Sequence, residues 1–319
     1  MTTGSVQKTG LIKLSNITIN RRFKGITFFD ALVLLSLLSF LVFIGYRLFY
    51  SLNYKWNWSV IPTYMFYFDA EKGRWSANIL LKGLFTTLRL SFWGMIFATL
   101  IGILIGLMRV SPRLFFYLIG RTYIELIRNT PPLVLVFIFY YFITDQLLTF
   151  LRIDDIFLAS PELAQYFFSL LFAEGSLIIP FLSGVLTLAL FQGAYIAEIV
   201  RAGIEAIDKG QWESARSIGL GRWKTMRLVI LPQATRIMLP PLANEFINTV
   251  KWSSIVSIIS IQELTFQGLQ VMGSTHATIE IWFTISLMYL LLCYTLSNIV
   301  SRIERRLSRA DTNSQARTS

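Results

Sequence analysis

The sequence predicts an all-α polytopic membrane protein of about six transmembrane helices, and three observations lead there. Of its 319 residues, 54% are hydrophobic and 15% charged, against a charged share of roughly 25% in soluble domains. Apolar runs of the length that crosses a bilayer, roughly 17–25 residues, recur along the chain, and they are continuous where a β-barrel would alternate. Lys and Arg concentrate in every second inter-span segment, the bias that orients membrane helices. That bias also accounts for the net charge of +11, with no nucleic acid needed as a partner.

Two scarce residue types narrow the chemistry. The single cysteine, Cys293, sits in an apolar run and excludes a disulfide framework or a Cys-based zinc site within this chain. The single histidine, His276, argues against a His-ligated metal centre. Lys8, Lys13, Arg21, Arg22 and Lys24 precede a spanning stretch with no small-residue cleavage site after it, so the first span is expected to be retained as an anchor.

Residues 1–27 read as a basic cytoplasmic arm and Phe28–Tyr50 as the first span. Residues 51–78 are aromatic-rich and suit the outer interface, where Trp and Tyr are favoured. The second span, Ile79–Val110, carries Gly94, Ala98, Gly102 and Gly106 at intervals of four, a small-residue face for close helix approach. In its outer third, Lys82 can snorkel to the interface, whereas Arg89 is deeper and a candidate for a polar pathway. A basic turn through Arg109 and Arg113 returns the chain into a third span, Leu114–Thr144, with a break expected at Pro131-Pro132.

Residues 145–176, with Asp154, Asp155, Glu162 and Glu174, read as an external insertion with short helices. The fourth span, Ser176–Val200, contains Gln192 and Tyr195. A polar loop at 203–236 precedes the fifth span, Ile237–Ile261, after which Gln262–Thr278 reads as a short external loop. Ile279–Ile303 is the last span, followed by a basic tail at 304–319 with Arg305, Arg306, Arg309 and Arg317. Six spans leave both termini in the cytoplasm. The division is an N-terminal part (1–78), a core (79–303) and the tail.

Polar groups inside spans are costly and mark functional positions. Asn244, Asn248 and Lys251 fall at i, i+4 and i+7 beside Glu245, a stripe that faces inward either as an interhelical network or as the wall of a solute path. Glu125–Arg128 and Glu198–Arg201 are three apart, the spacing of simple helix ion pairs. No HExxH, paired-cysteine spacing or phosphate loop is present, so this chain is not expected to be an enzyme or to hold ATP or a metal.

The 203–236 loop is the most specific stretch. Gln211–Ile218 suits a short helix ended by Gly219 and Gly221, and Trp223–Ile230 resumes helix until Pro232. Trp212, Ala215, Ile218 and Leu220 give it an apolar side, with Glu213, Arg216 and Arg222 supplying charge. Glu213-Ser214-Ala215, Gly219 and Val229-Ile230-Leu231-Pro232 resemble the EAA loop of permease subunits of bacterial ABC importers. Gly193 to Gly203, Glu125 to Pro131, Leu239 to Glu245 and Lys251 to Ser254 resemble the polar amino-acid uptake branch, over roughly residues 80–303. The basic arm, first span and insertion lie outside the five-span permease core and resemble larger permeases for glutamate, glutamine, aspartate or general L-amino acids.

The resemblance implies a mechanism. Two permease subunits form the channel, two ATPase subunits bind ATP and Mg beneath it, and a periplasmic solute-binding protein delivers the amino acid. Gln211, Trp212, Glu213, Ser214, Ala215, Arg216, Gly219, Leu220, Gly221, Leu231 and Pro232 are then expected to couple to an ATPase at the inner membrane. Arg89, Arg128, Asn129, Thr130, Gln192, Tyr195, Asn244, Glu245, Asn248, Lys251, Ser253 and Ser254 are the expected translocation pathway. Ser214, Asn129, Leu135 and Trp252-Ser253 depart from the family pattern, where Ala, Gly, Gln and Asp-Thr are usual, and hint at pairing with a non-identical permease. The alternative, an autonomous secondary carrier or channel, calls for its own coupling-ion site or inverted repeats; no convincing repeat appears.

Overall fold

The computed structural model describes residues 27–47, 54–71, 73–173 and 175–315. The basic arm, the last three residues expected in the first span, Lys72, Glu174, Arg317 and the side chains of Asp154, Arg306 and Arg309 lie outside the described residues. Two compact units are present, residues 1–56 and 57–319.

The first unit holds helix α1, Phe28–Tyr46. Thr27 and Asp30 form a capping box, with the Thr27 N–H donating to the Asp30 carboxylate at 2.9 Å. None of its residues is buried, as suits a helix apolar on every side.

The second unit opens with α2 (Val60–Met65) and an antiparallel hairpin, β1 (Phe66–Asp69) and β2 (Arg74–Ala77). The second unit begins at Asn57, whose N–H donates to the buried Glu280 carboxylate at 2.6 Å. Helix α3 (Ile79–Arg109) follows, then α4 (Leu114–Arg128). The chain breaks at Thr130 as expected, with Pro131 capping α5 (Pro132–Ile138). The stretch apolar enough to cross is Pro132–Phe150, so the third span is displaced from Leu114–Thr144, and α4 stands apart as a shorter helix. Beyond a π-helical turn, α6 (Asp145–Phe150), α7 (Ile153–Leu158) and α8 (Glu162–Leu171) form the expected short helices.

Helix α9 (Ile178–Glu205) runs parallel to α3 in one register. A Cβ at Gly94, Gly102 and Gly106 would meet Leu188, Ile196 and Val200 respectively, a constant offset since 188 − 94, 196 − 102 and 200 − 106 are equal. The small-residue face expected from sequence is this contact. After α10 (Lys209–Ser217), α11 (Arg222–Thr225) and a second π-helical turn comes α12, Leu231–Trp252. Helix does not end at Pro232, contrary to the sequence expectation: the π-helical turn at Met226–Ile230 runs directly into α12, with Pro232 in its first turn and Pro240 and Pro241 inside it. Helix α12 is antiparallel to α9, with Gly203 against Met238 near one end and Gln192 against Thr249 farther along.

Helix α12 passes into a 3-10 segment, Ser253–Ile259, and then bends by 48° into α13, Leu264–Thr275. The expected loop at Gln262–Thr278 is therefore mostly helix. Its start is fixed by Glu263, whose carboxylate accepts the Phe266 N–H at 2.9 Å, and its wall packs on Gly83 of α3. The last helix is α14, Thr278–Gln315. Among the described residues five helices are long and apolar enough to span, or six with the bent pair taken as one.

Candidate functional site

The inter-span loop is built on its glycines. Asp208 caps α10 by accepting the Gly210 N–H, at 2.6 Å. At the other end Gly219 takes φ +81°, the Leu220 N–H donates to Ala215 O and the Gly219 N–H donates to Arg216 O, the two bonds of a Schellman turn. Gly221 then caps α11. Ala215 is buried and Trp212 half-buried against the cluster of Val200, Ile204 and Ile207, while the Gln233 amide donates to Gln211 Oε1 at 3.1 Å and ties α10 to α12. What faces outward is Glu213, Ser214, Arg216, Gly219, Gly221, Ile218 and Trp223, with Pro232 exposed and Leu220 and Leu231 half-buried. The loop thus presents a rigid turn with both charge and large apolar side chains toward whatever lies beyond it.

A second constellation lies between α9 and α12. Gln192 is fully buried, and its amide donates to Glu245 Oε1 and Thr249 Oγ1, each at 2.9 Å. Asn248 donates to Glu245 Oε2 at 3.2 Å. Among the described residues no cation lies within ion-pair distance of Glu245, and its two carboxylate oxygens accept from these amides. Asn244 and Lys251 turn instead toward α14, where with Tyr289 and Tyr294 they line a cavity of about 840 Å³. The stripe seen in the sequence therefore divides into an interhelical network and a cavity wall.

Other expected pathway residues are placed differently. Arg128 does not pair with Glu125, which bonds Arg121 at 2.7 Å; it reaches across to Glu198 at 3.7 Å and lies over the Tyr195 ring. Glu198 also pairs with Arg201, as the spacing suggested, and Arg201 with Glu205, giving a chain of alternating charges from α4 onto α9. Arg89 is separated from the α12 stripe: its guanidinium donates to Ser169 O and Leu170 O, neutralising the carbonyl end of α8, beside a different cavity of about 690 Å³. Asn129 ends α4, and Thr130 donates to Leu126 O. Ser253 and Ser254 spend their hydroxyls on the carbonyls of Val250 and Lys251. Trp252 packs edge-on against Phe191.

Sequence reasoning missed Thr249, Glu263 and Tyr289. Thr249 lies four residues after Glu245, a spacing that places it on the same face, yet a threonine in a span raises little suspicion. Glu263 is fully buried and accepts from Tyr289 OH at 2.6 Å and from Thr87 at 3.3 Å, joining α13 to α14 and α3. An acid set between Ile261 and Leu264 was the available signal.

Comparison with known proteins accords with this architecture. The family described as binding-protein-dependent transport system inner membrane component matches residues 80–309. The glutamine transport system permease protein GlnP of Escherichia coli is 35% identical over 73% of this chain and 97% of its own length. The L-cystine transport system permease protein TcyB of Bacillus subtilis is 33% identical, covering 72% and 87%. A solved amino acid ABC transporter with histidines superposes with a TM-score of 0.57 at 36% identity, over 72% of this chain and 94% of that one. The MetNI methionine ABC transporter in an inward-facing conformation shares the fold at a TM-score of 0.53 and 18% identity. With the family match spanning most of its length, the chain belongs to the binding-protein-dependent transport system inner membrane components, as a multi-pass permease subunit of an ABC importer.

Proposed function

We propose that this permease imports polar amino acids, both acidic and neutral, such as glutamate, glutamine and aspartate, and that it does so by ATP hydrolysis in partner subunits. The observation that carries the cargo class is Glu245, an intramembrane carboxylate solvated by Gln192 and Asn248 without a cation, with Lys251 farther along the same helix. Opposite charges on one helix, Glu245 in the α9–α12 network and Lys251 on the cavity wall toward α14, suit a zwitterion, whose ammonium and carboxylate each need a partner in a low-dielectric path. The glutamine and amino-acid names of the relatives support the same class.

In this reading two ATPase subunits hold ATP and Mg, one docking on the α10–α11 turn, and a second permease completes the path. The second permease is a non-identical homologue, since Trp252 removes a polar group that the other half then supplies. A periplasmic solute-binding protein delivers cargo, and both termini face the cytoplasm, as the basic residues near α10–α11 favour. Closure of the ATPases would push the loop and switch the spans between two arrangements. The chain reconstituted in liposomes with its ATPases, second permease and binding protein should take up labelled glutamine only with ATP. Uptake by the chain alone without ATP would refute the importer in favour of a secondary carrier, and preference for arginine over glutamine and glutamate would refute the cargo class.

A further inference from the structure

The β1–β2 hairpin precedes the family core, which begins at residue 80, and the permease mechanism makes no use of it. Its register pairs Phe66 with Ala77 and Phe68 with Trp75, which puts these four on one face; Tyr67, Asp69, Arg74 and Ser76 share the other. The first face is aromatic and uncovered. Phe68 and Trp75 touch edge-on, at 5.7 Å between centroids, yet remain 55% and 70% exposed, and Phe66 is 47% exposed.

The hairpin is tied to the starts of two spanning helices. Between β2 and α3 stands one residue, Asn78, whose N–H donates to Met65 O at 2.8 Å and whose side-chain amide donates to Thr63 O at 2.7 Å. Helix α2 in turn packs through Val60, Ile61 and Tyr64 onto Leu80 and Ile281, the first turns of two spanning helices. A four-residue strand reaches about 13 Å at roughly 3.3 Å per residue. The polar layer on each side of a bilayer is only about 5–8 Å deep, so a hairpin that starts at the end of a spanning helix is long enough to lie across it. Trp58, edge-on to Phe283, adds exposed aromatic surface at the same end of the bundle.

We propose that this hairpin is a membrane-interface anchor. The Phe66–Phe68–Trp75 face rests at the boundary of headgroups and acyl chains, where aromatic rings are favoured, and the Tyr67–Asp69–Arg74–Ser76 face meets water. The hairpin thereby fixes the depth of the first turns of α3 and α14 in the bilayer. This holds whichever solute the permease carries.

The test uses the full chain in phosphatidylcholine–phosphatidylglycerol nanodiscs, with Cys293→Ser and single nitroxide labels introduced at Phe68→Cys, Trp75→Cys, Tyr67→Cys or Ser76→Cys. Oxygen should outcompete a water-soluble nickel complex as relaxant at positions 68 and 75, and the ratio should invert at 67 and 76. A parallel measurement leaves the aromatic face intact: the fluorescence difference between the unaltered chain and Trp75→Phe should be quenched by lipids brominated near the headgroup and spared by acrylamide. Equal nickel access on both faces, with acrylamide quenching, would put the face in water and overturn the proposal. Low access of both relaxants at 68 and 75, with no bromolipid quenching, would overturn it in favour of a protein partner.

Discussion

Replacing Gly106 with alanine tests the parallel contact of α3 and α9. A Cβ there lies 2.7 Å from Val200 Cβ and Cγ1 and 2.8 Å from Ala197 O, whereas such atoms rest at roughly 3.5–4.0 Å. Val200 Cβ and Ala197 O are fixed to the backbone, so rotation cannot relieve the clash and the helices must part by on the order of 1 Å. Gly268 presents a shorter clash, 2.0 Å to Ile285 Cδ1, but that atom is the tip of a flexible chain. Gly273 meets nothing within 4 Å. Each substitution gains up to about 1 kcal/mol in helix propensity, and overpacking costs about 1–3 kcal/mol. Gly273→Ala should therefore stabilise by roughly 0.5–1 kcal/mol and Gly268→Ala should be near neutral. Gly106→Ala should destabilise by about 1–2 kcal/mol. At roughly 2–4 °C per kcal/mol, the last lowers the unfolding midpoint by about 2–8 °C. The assay is the apparent midpoint of the detergent-purified variants at one scan rate, since unfolding of such proteins is commonly irreversible. Equal midpoints for Gly106→Ala and Gly273→Ala would refute the register.

Three further substitutions probe the loop and the polar wall. Gly219→Asp puts a side chain at φ +81°, a strain of roughly 1–2 kcal/mol, and a charge on the exposed turn; ATP-driven uptake in proteoliposomes should be lost, and normal uptake counts against a coupling role. Gln192→Leu removes both amide donations and leaves Glu245 short of a partner at a cost of about 1–3 kcal/mol; uptake should fall while the chain still purifies with its partners. Asn248→Ala and Lys251→Ala should lower uptake more than assembly. If the complex instead fails to assemble in both, the stripe serves packing.

The inter-span loop was legible because its signals are local. A helix stop needs a residue that tolerates positive φ, and Gly219 supplies it three residues after Arg216. The small-residue face of α3 was equally plain, since a spacing of four lies on one side of any helix. Helix α13 was not legible, because Gly268 and Gly273 lower the helical propensity of a short window and only tertiary contacts with α3 and α14 offset this. Pro232 misled because a proline need not end a helix: the π-helical turn at Met226–Ile230 runs straight into α12, which also carries Pro240 and Pro241 inside it, and only the fold shows that the helix continues.

The sequence by itself determined that the chain crosses a membrane several times in helices, that one polar loop between spans ends in a glycine turn, and that the loop carries an importer's signature. Composition, period and turn chemistry act over a few residues, so they need no partner to be read. The tertiary structure alone decided which groups meet: Arg128 with Glu198 and not Glu125, Arg89 with the end of α8 and not the polar stripe, Gln192 with Glu245 and Thr249. A charged or amide side chain in a low-dielectric interior takes whatever partner the helix packing brings within reach. That packing is set by the register of α3, α9 and α12, far apart in sequence and joined only when the bundle closes.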